Sequence, residues 1–195
     1  YPRDYEDRRE AYSIARAPLD RPVCVAALVA EPPRTSRIRR GLELTRVRVA
    51  DGSAAMTVTF FNQSYVRDAL RQGEVYVFYG AVEEEGRARR MTNPAFEPED
   101  RQRFTGRIMP VYPLTAGIGN NLLAGLVQQA LPAAAGLTEC LPEELRDRHG
   151  LIGIRPAVEA IHFPPDFESL DRAKRRMIFE ELFVLTAGLD LLKRR

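Results

Sequence analysis

The chain has 195 residues, 45% hydrophobic and 29% charged, which is the composition of a globular domain rather than a disordered or fibrous segment. A formal net charge of +2 excludes a uniformly basic nucleic-acid coat, so any anion-binding surface has to be local. No apolar run approaches the length of about 18 residues that a membrane span requires.

Residues 1–18 are dense in charge and end at Ala17-Pro18. They read as a lead-in from an upstream domain, and both the start and the uncapped end at Lys193-Arg194-Arg195 read as cuts within a longer protein. From Asp20 the texture becomes that of strands. Val23 to Ala30 is a run of small and β-branched residues stopped by Glu31-Pro32-Pro33. Leu42 to Val49 alternates apolar and polar residues, Asp51-Gly52 marks a hairpin turn, and Ala55 to Phe61 returns with the same alternation. Ser64 is placed to cap a short helix to about Leu70, with Gly73 after it. Val75–Tyr79 and Arg89–Asn93 complete the set of strands, around a turn at Glu85-Gly86.

Three strands, a helix and two strands form the element order of an oligonucleotide-binding (OB) barrel, in which closure removes the two bare edges of a small sheet. A five-stranded sandwich is the structural competitor. Beyond Arg107, Ile108–Pro113 is extended and proline-punctuated. Helices are then predicted from Asn120 or Asn121 to about Ala135, from Pro142, over Ile154–Ile161, and from an Asp166 cap to the end. The last carries an apolar stripe of Phe167, Leu170, Ile178, Leu182, Leu185, Leu189 and Leu192, which invites self-association if left uncovered. The expected fold is therefore α+β: a lead-in over residues 1–18, a five-stranded OB barrel over 19–107 and a mainly helical extension over 108–195.

The motifs exclude several chemistries. There is no P-loop, no G-x-S-x-G and no H-E-x-x-H, and Gly117-Ile118-Gly119 after a Pro-Leu-Thr turn reads as a helix entry. Cys24 and Cys140 sit in unlike surroundings and read as two reduced thiols, and with only His149 and His162 beside them a zinc site is not expected. His162 reads as structural. No catalytic cluster is found, and no metal or cofactor is expected within these residues.

Two groups of residues suggest binding instead. Arg34, Arg37, Arg39 and Arg40 fall in an acid-free stretch between the first two strands, where guanidinium forks could hold phosphate oxygens; the plain alternative is a flexible solvated loop. Arg87, Arg89 and Arg90 add charge at the last turn, against Glu83, Glu84 and Glu85. Alternation sends Phe60 and Phe61 to opposite faces. If Phe60 follows Met56 and Val58 inward, Phe61 faces out, and Tyr65 at the helix start could stand near it, giving rings on which bases stack. Composition alone equally allows both rings to pack under the helix.

The stretches Pro2–Arg8, Phe61-Asn-Gln-Ser-Tyr65, Met109–Thr115, Leu141–Leu145, Ala160–Asp166 and Arg175–Leu182 together resemble the segment of the RecG helicases that precedes the motor domains, namely the wedge and its connection to the first motor lobe. The resemblance implies an ATP-dependent DNA helicase as the parent protein, binding replication forks and Holliday junctions and splitting strands at the branch point during fork reversal, branch migration, recombination and repair. It implies that Phe61 and Tyr65 stack on unpaired bases. ATP and magnesium would act in the motor lobes, outside these residues. Branched DNA, the motor domains and single-strand binding protein are the implied partners, and the bacterial cytoplasm, at the nucleoid, the location. Ser64 stands where many relatives have Pro. The alternative function is an OB module that docks a protein without touching DNA.

Overall fold

The computed structural model describes residues 1–86 and 88–193. It divides into two compact units, one of residues 7–107 and one combining residues 1–6 with the chain from 108 onward. In chain order the elements are β1 (Asp4–Asp7), β2 (Ala11–Tyr12), β3 (Pro22–Val29), β4 (Arg34–Arg39), β5 (Leu42–Ala50), β6 (Ala55–Phe61), α1 (Val66–Ala69), β7 (Val75–Glu85), β8 (Ala88–Thr92), β9 (Ala95–Pro98), β10 (Ile108–Val111), α2 (Asn120–Ala130), α3 (Glu143–His149), α4 (Ile154–His162) and α5 (Phe167–Lys193).

In the first unit the backbone pairings run round a ring. Strand β3 pairs antiparallel with β5, β5 with β6, β6 in parallel with β8, β8 antiparallel with β7, and β7 antiparallel back to β3. Each ring strand thus has two neighbours within the ring, with β2, β4 and β9 added at its sides, and the connectivity is that of an OB fold, with α1 between the third and fourth ring strands as its element order predicts. Alternation fills the interior: Val47 and Val49 of β5, Met56, Val58 and Phe60 of β6, and Phe78 and Val82 of β7 are buried in one cluster. Such side chains contribute about 1.5–3 kcal/mol each by leaving water.

Residues 7–18 fall within this unit, whereas residues 1–6 belong to the other. Ile14 enters the barrel core, and its backbone N–H donates to the Asp51 carboxylate at 2.6 Å. The Asp51-Gly52 turn read from the sequence therefore also anchors the chain that leads into the barrel. Burial penalises the Asp51 charge, but donors from Ser53, Ile14 and Ala54 outweigh it and hold its carboxyl below the usual range.

The elements differ from expectation in several ways, with β2 and β9 among the strands not expected. Arg34–Gly41, read as a loop, contains β4, paired with β5 over Arg34↔Arg46, Thr35↔Thr45, Ser36↔Leu44 and Arg37↔Glu43. Ladder hydrogen bonds and a Thr35–Thr45 hydroxyl contact at 2.9 Å hold it without any apolar alternation, and Gly41 at φ 79° makes the turn. Strand β7 runs to Glu85, well beyond Tyr79. Ser64 does not cap α1, which is a single turn starting after Tyr65 with no side-chain cap.

In the second unit β1 and β10 form a two-stranded ribbon. Helices α4 and α5 pack through Ala157, Ile161, Leu170, Ala173 and Met177. Asp166 caps α5 as expected, accepting the Ser169 N–H at 2.7 Å. Asn120 does not cap α2: its carboxamide ties down the chain after β10, accepting from the Tyr112 N–H and donating to the Pro110 carbonyl. The predicted stripe of α5 is mostly bare, with Leu170 buried but Ile178, Leu182, Leu185, Leu189 and Leu192 exposed. Glu139 organises the rest. It accepts the Ile154 N–H that opens α4 and pairs at 2.6 Å with Arg176, whose side chain is wholly buried. Cys24 is buried and Cys140 exposed, and neither is in a disulfide.

Candidate nucleic-acid interface

Residues opposite one another in a sheet share a face, so the register defines the outer surface of the barrel. Phe60 is fully buried and Phe61 is 40% exposed, the division that alternation predicts. On the Phe61 face of β6 lie Thr59 and Thr57, and opposite them on β5 lie Arg46 and Arg48. Arg34 of β4 is in turn directly opposite Arg46. Both Arg46 and Arg48 are exposed, and among the described residues neither has an ion-pair or hydrogen-bond partner through its side chain. These two were not singled out from the sequence, although the alternation of Leu42–Val49 already turns them outward. Like charges facing each other across a ladder are destabilising, so such a row is a feature that packing alone does not favour.

Of the arginines singled out from the sequence, Arg37, Arg39 and Arg40 are exposed at the end of the β4–β5 hairpin without side-chain partners among the described residues, and Arg34 makes one exposed pair with Glu31 at 3.3 Å. Arg37 lines an open groove of about 300 Å³ together with Glu43, Asn62 and Ser64, so the basic hairpin and the segment after Phe61 share one depression. The arginines after Glu85 behave differently. Arg89 turns inward and donates to the Ile14 carbonyl and, at 3.2 Å, to the Ala17 carbonyl, with Glu84 beside it. Arg90 is paired with Glu83 at 2.8 Å and Glu85 at 2.6 Å, because the β7–β8 register sets Glu83 opposite Arg90. The acids expected to be a solvated edge are the partners of these two arginines. Arg87 lies outside the described residues.

Tyr65 is 60% exposed. Its ring lies nearly parallel to Phe96, at 16° and 6.4 Å between centroids, and Phe96 packs edge-on against the buried Phe60 at 5.5 Å. The Tyr65 ring is therefore seated on an aromatic support rather than free. The segment between the two candidate rings is fastened by asparagines that the sequence reading passed over. The Asn62 N–H donates to the Glu43 carbonyl and the Glu43 N–H to the Asn62 carboxamide oxygen, both at 2.9 Å. Asn93 accepts the Phe61 N–H at 2.8 Å.

A closed barrel with one uncompensated arginine face and an exposed aromatic at the end of that face is an OB-fold domain of distinctive type, and comparison with known proteins specifies it. Residues 1–134 match the RecG wedge domain family, and the chain belongs to that family. It is 28% identical over its whole length to the ATP-dependent DNA helicase RecG of Thermotoga maritima. To the protein of the same description from Synechocystis it is 30% identical over 96% of the chain. The chain spans about a quarter of the length of these relatives. A solved structure of RecG bound to a three-way DNA junction superimposes on all of this chain and 27% of its own, at 26% identity and a TM-score of 0.86.

Proposed function

We propose that this chain is the branch-engaging wedge of an ATP-dependent DNA helicase, binding replication forks and Holliday junctions and separating strands at the branch while motor domains elsewhere in the parent protein pull the duplex. In this reading Arg37, Arg39, Arg40, Arg46 and Arg48, with Arg34 beside them, contact phosphates. Phe61 and Tyr65 stack on unpaired bases. ATP and magnesium act on the motor, and strand separation serves fork reversal, recombination and repair. The observation that carries the reading is the row of arginines without partners among the described residues, ending at the exposed Phe61. A guanidinium without a carboxylate is available to phosphate oxygens, whereas a ring on the same face offers a surface that every base can cover. Arg89 and Arg90, being paired within the barrel, are not assigned to phosphate.

The test is a titration of this chain against a model fork, a matched linear duplex and a single strand at two salt concentrations. Tighter binding to the fork with a steep salt dependence is expected. Phe61→Ala lowers the fork preference by roughly 1–3 kcal/mol, the scale of one base–aromatic stack. It leaves the salt slope unchanged, because the ring carries no charge. Equal losses on fork and duplex would refute the stacking role, and no preference in the wild type would favour an OB module for a protein partner.

A further inference from the structure

Phe61 and Tyr65 stand at the two ends of one continuous run of hydrogen bonds. The Asn93 carboxamide oxygen accepts from the Phe61 N–H at 2.8 Å and also from Gln63 Nε2 at 3.2 Å, and Gln63 Oε1 accepts from the Tyr65 hydroxyl at 2.9 Å. Donor and acceptor alternate along the whole run, with each carboxamide in a single orientation. Solvation does not require this. An exposed tyrosine hydroxyl has water for a partner, and a partly exposed glutamine can also reach water instead of ordering its side chain on a neighbour. Asn93 and Asn62 are the two non-glycine residues, among those described, with left-handed backbones, at φ 47° and 54°. That conformation is uncommon for side chains with a Cβ, and asparagine tolerates it better than most. Residues held this way cluster where geometry has a purpose, and these two fasten the segment that carries the rings.

We infer that Gln63 and Asn93 are positioning residues that hold the Tyr65 ring at a fixed place relative to Phe61, so that the pair is set in advance to receive unpaired bases at a DNA branch. The inference rests on the stacking role proposed above for the two rings. The tether fixes the hydroxyl end of Tyr65 while Phe96 supports its face, so the Tyr65 rotamer does not have to be ordered when DNA arrives. A tyrosine is then required where a phenylalanine would stack equally well, and a glutamine matters although it touches no base.

Three substitutions break the run at different links. Tyr65→Phe keeps the ring and removes the hydroxyl, Gln63→Leu removes both amide ends, and Asn93→Gly keeps the left-handed backbone without the acceptor. Asn93→Asp keeps an acceptor oxygen. The expected result is a roughly three- to tenfold loss of fork affinity for each of the first three, from one hydrogen bond's worth of order. Duplex affinity, salt slope and Tm stay near wild type, Asn93→Asp retains most of the fork affinity, and the Tyr65→Phe/Gln63→Leu double variant is no weaker than either single. A 2-aminopurine at the unpaired position reports stacking independently of affinity, and its quenching should weaken in the same variants. Wild-type fork affinity and quenching in Tyr65→Phe would overturn the tether. So would a double variant with additive losses, which would make Gln63 a direct DNA contact, or a Tm falling in step with affinity, which would make the run merely structural. Phe61→Ala separates the two levels of inference. If it too leaves fork preference intact, the stacking reading itself has failed; if it alone removes the preference, only the tether has.

Discussion

The salt dependence of DNA binding gives the strongest test of the arginine face. Arg46 and Arg48 are two residues apart on β5, so their Cα atoms stand about 6.8 Å apart and both side chains leave the same side of the sheet. Each phosphate contact contributes about −0.9 to the slope of log K against log salt on duplex DNA. Replacing both arginines by alanine should therefore make the slope shallower by about 1.8. Between about 50 and about 200 mM salt, a fourfold change, the loss of affinity should shrink by about 12-fold relative to wild type. Folding should not suffer, since among the described residues neither side chain has a partner, and Arg46 faces Arg34 across the ladder. The assay is fluorescence anisotropy with a labelled linear duplex and a labelled fork at four salt concentrations, with Tm measured alongside. Arg90→Ala, which removes one positive charge, is the control. Its guanidinium is held by Glu83 and Glu85 rather than offered to a phosphate, so its slope should change by less than one contact. An unchanged slope in the Arg46/Arg48 variant, or an equal change in Arg90→Ala, would refute the assignment of phosphates to this face.

The helical unit makes separate predictions. Glu139→Ala removes the acceptor at the start of α4 and one of the two carboxylates that pair with the buried Arg176, and should cost about 3 kcal/mol in urea denaturation. Burial penalises the Glu139 charge, but the Leu141 and Ile154 N–H groups and Arg176 outweigh it and hold its pKa below the usual carboxylate range. The contribution is then fully present above the ordinary glutamate pKa and is lost as pH falls through the lowered one, so Glu139→Gln should flatten the acid limb of the stability curve. Burial likewise lowers the pKa of His162, which contacts the Tyr112 hydroxyl at 2.9 Å through Nδ1. The unfolded ring binds its proton first on acidification, so stability is complete above the ordinary histidine pKa and declines as pH falls below it; His162→Gln should remove that part of the decline.

Much of the barrel was legible in the residues because closure and burial leave an imprint on alternation. Leu42–Val49 and Ala55–Phe61 show inward Val47, Val58 and Phe60 against outward Arg46, Arg48 and Phe61, and Asp51-Gly52 names the turn between them. What was not legible depends on partners distant in sequence. Strand β4 has a paired backbone but no apolar period, since both of its faces are largely exposed. The inward turn of Arg89 follows from where Ile14 and Ala17 present their carbonyls, some seventy residues earlier. Asn62 and Asn93 act through a left-handed backbone and a bridging oxygen, neither of which carries a spacing rule.

Arginine supplies all but two of the 29 basic side chains, so counting arginines says little about where an anion would bind; what matters is which of them the fold has already used. Arg176 is buried between two carboxylates, Arg8 lies over the Tyr79 ring at 3.8 Å while donating to the Phe104 carbonyl, and Arg89 and Arg90 are occupied by carbonyls and acids of their own unit. A planar fork of five donors suits such internal work, where the compact charge of lysine does not. Around β4 and β5 the opposite holds. Arg37, Arg39, Arg40, Arg46 and Arg48 stand without side-chain partners among the described residues, and Arg34 faces Arg46 across a ladder that like charges weaken. A polyanion on that face would relieve the repulsion as well as add contacts, so the free barrel tolerates there a modest destabilisation that the bound state removes. The near-neutral net charge conceals this, because it sums 27 acids over the whole chain, among them Glu83, Glu84 and Glu85, which are already paired with Arg89 and Arg90 on the β7–β8 hairpin.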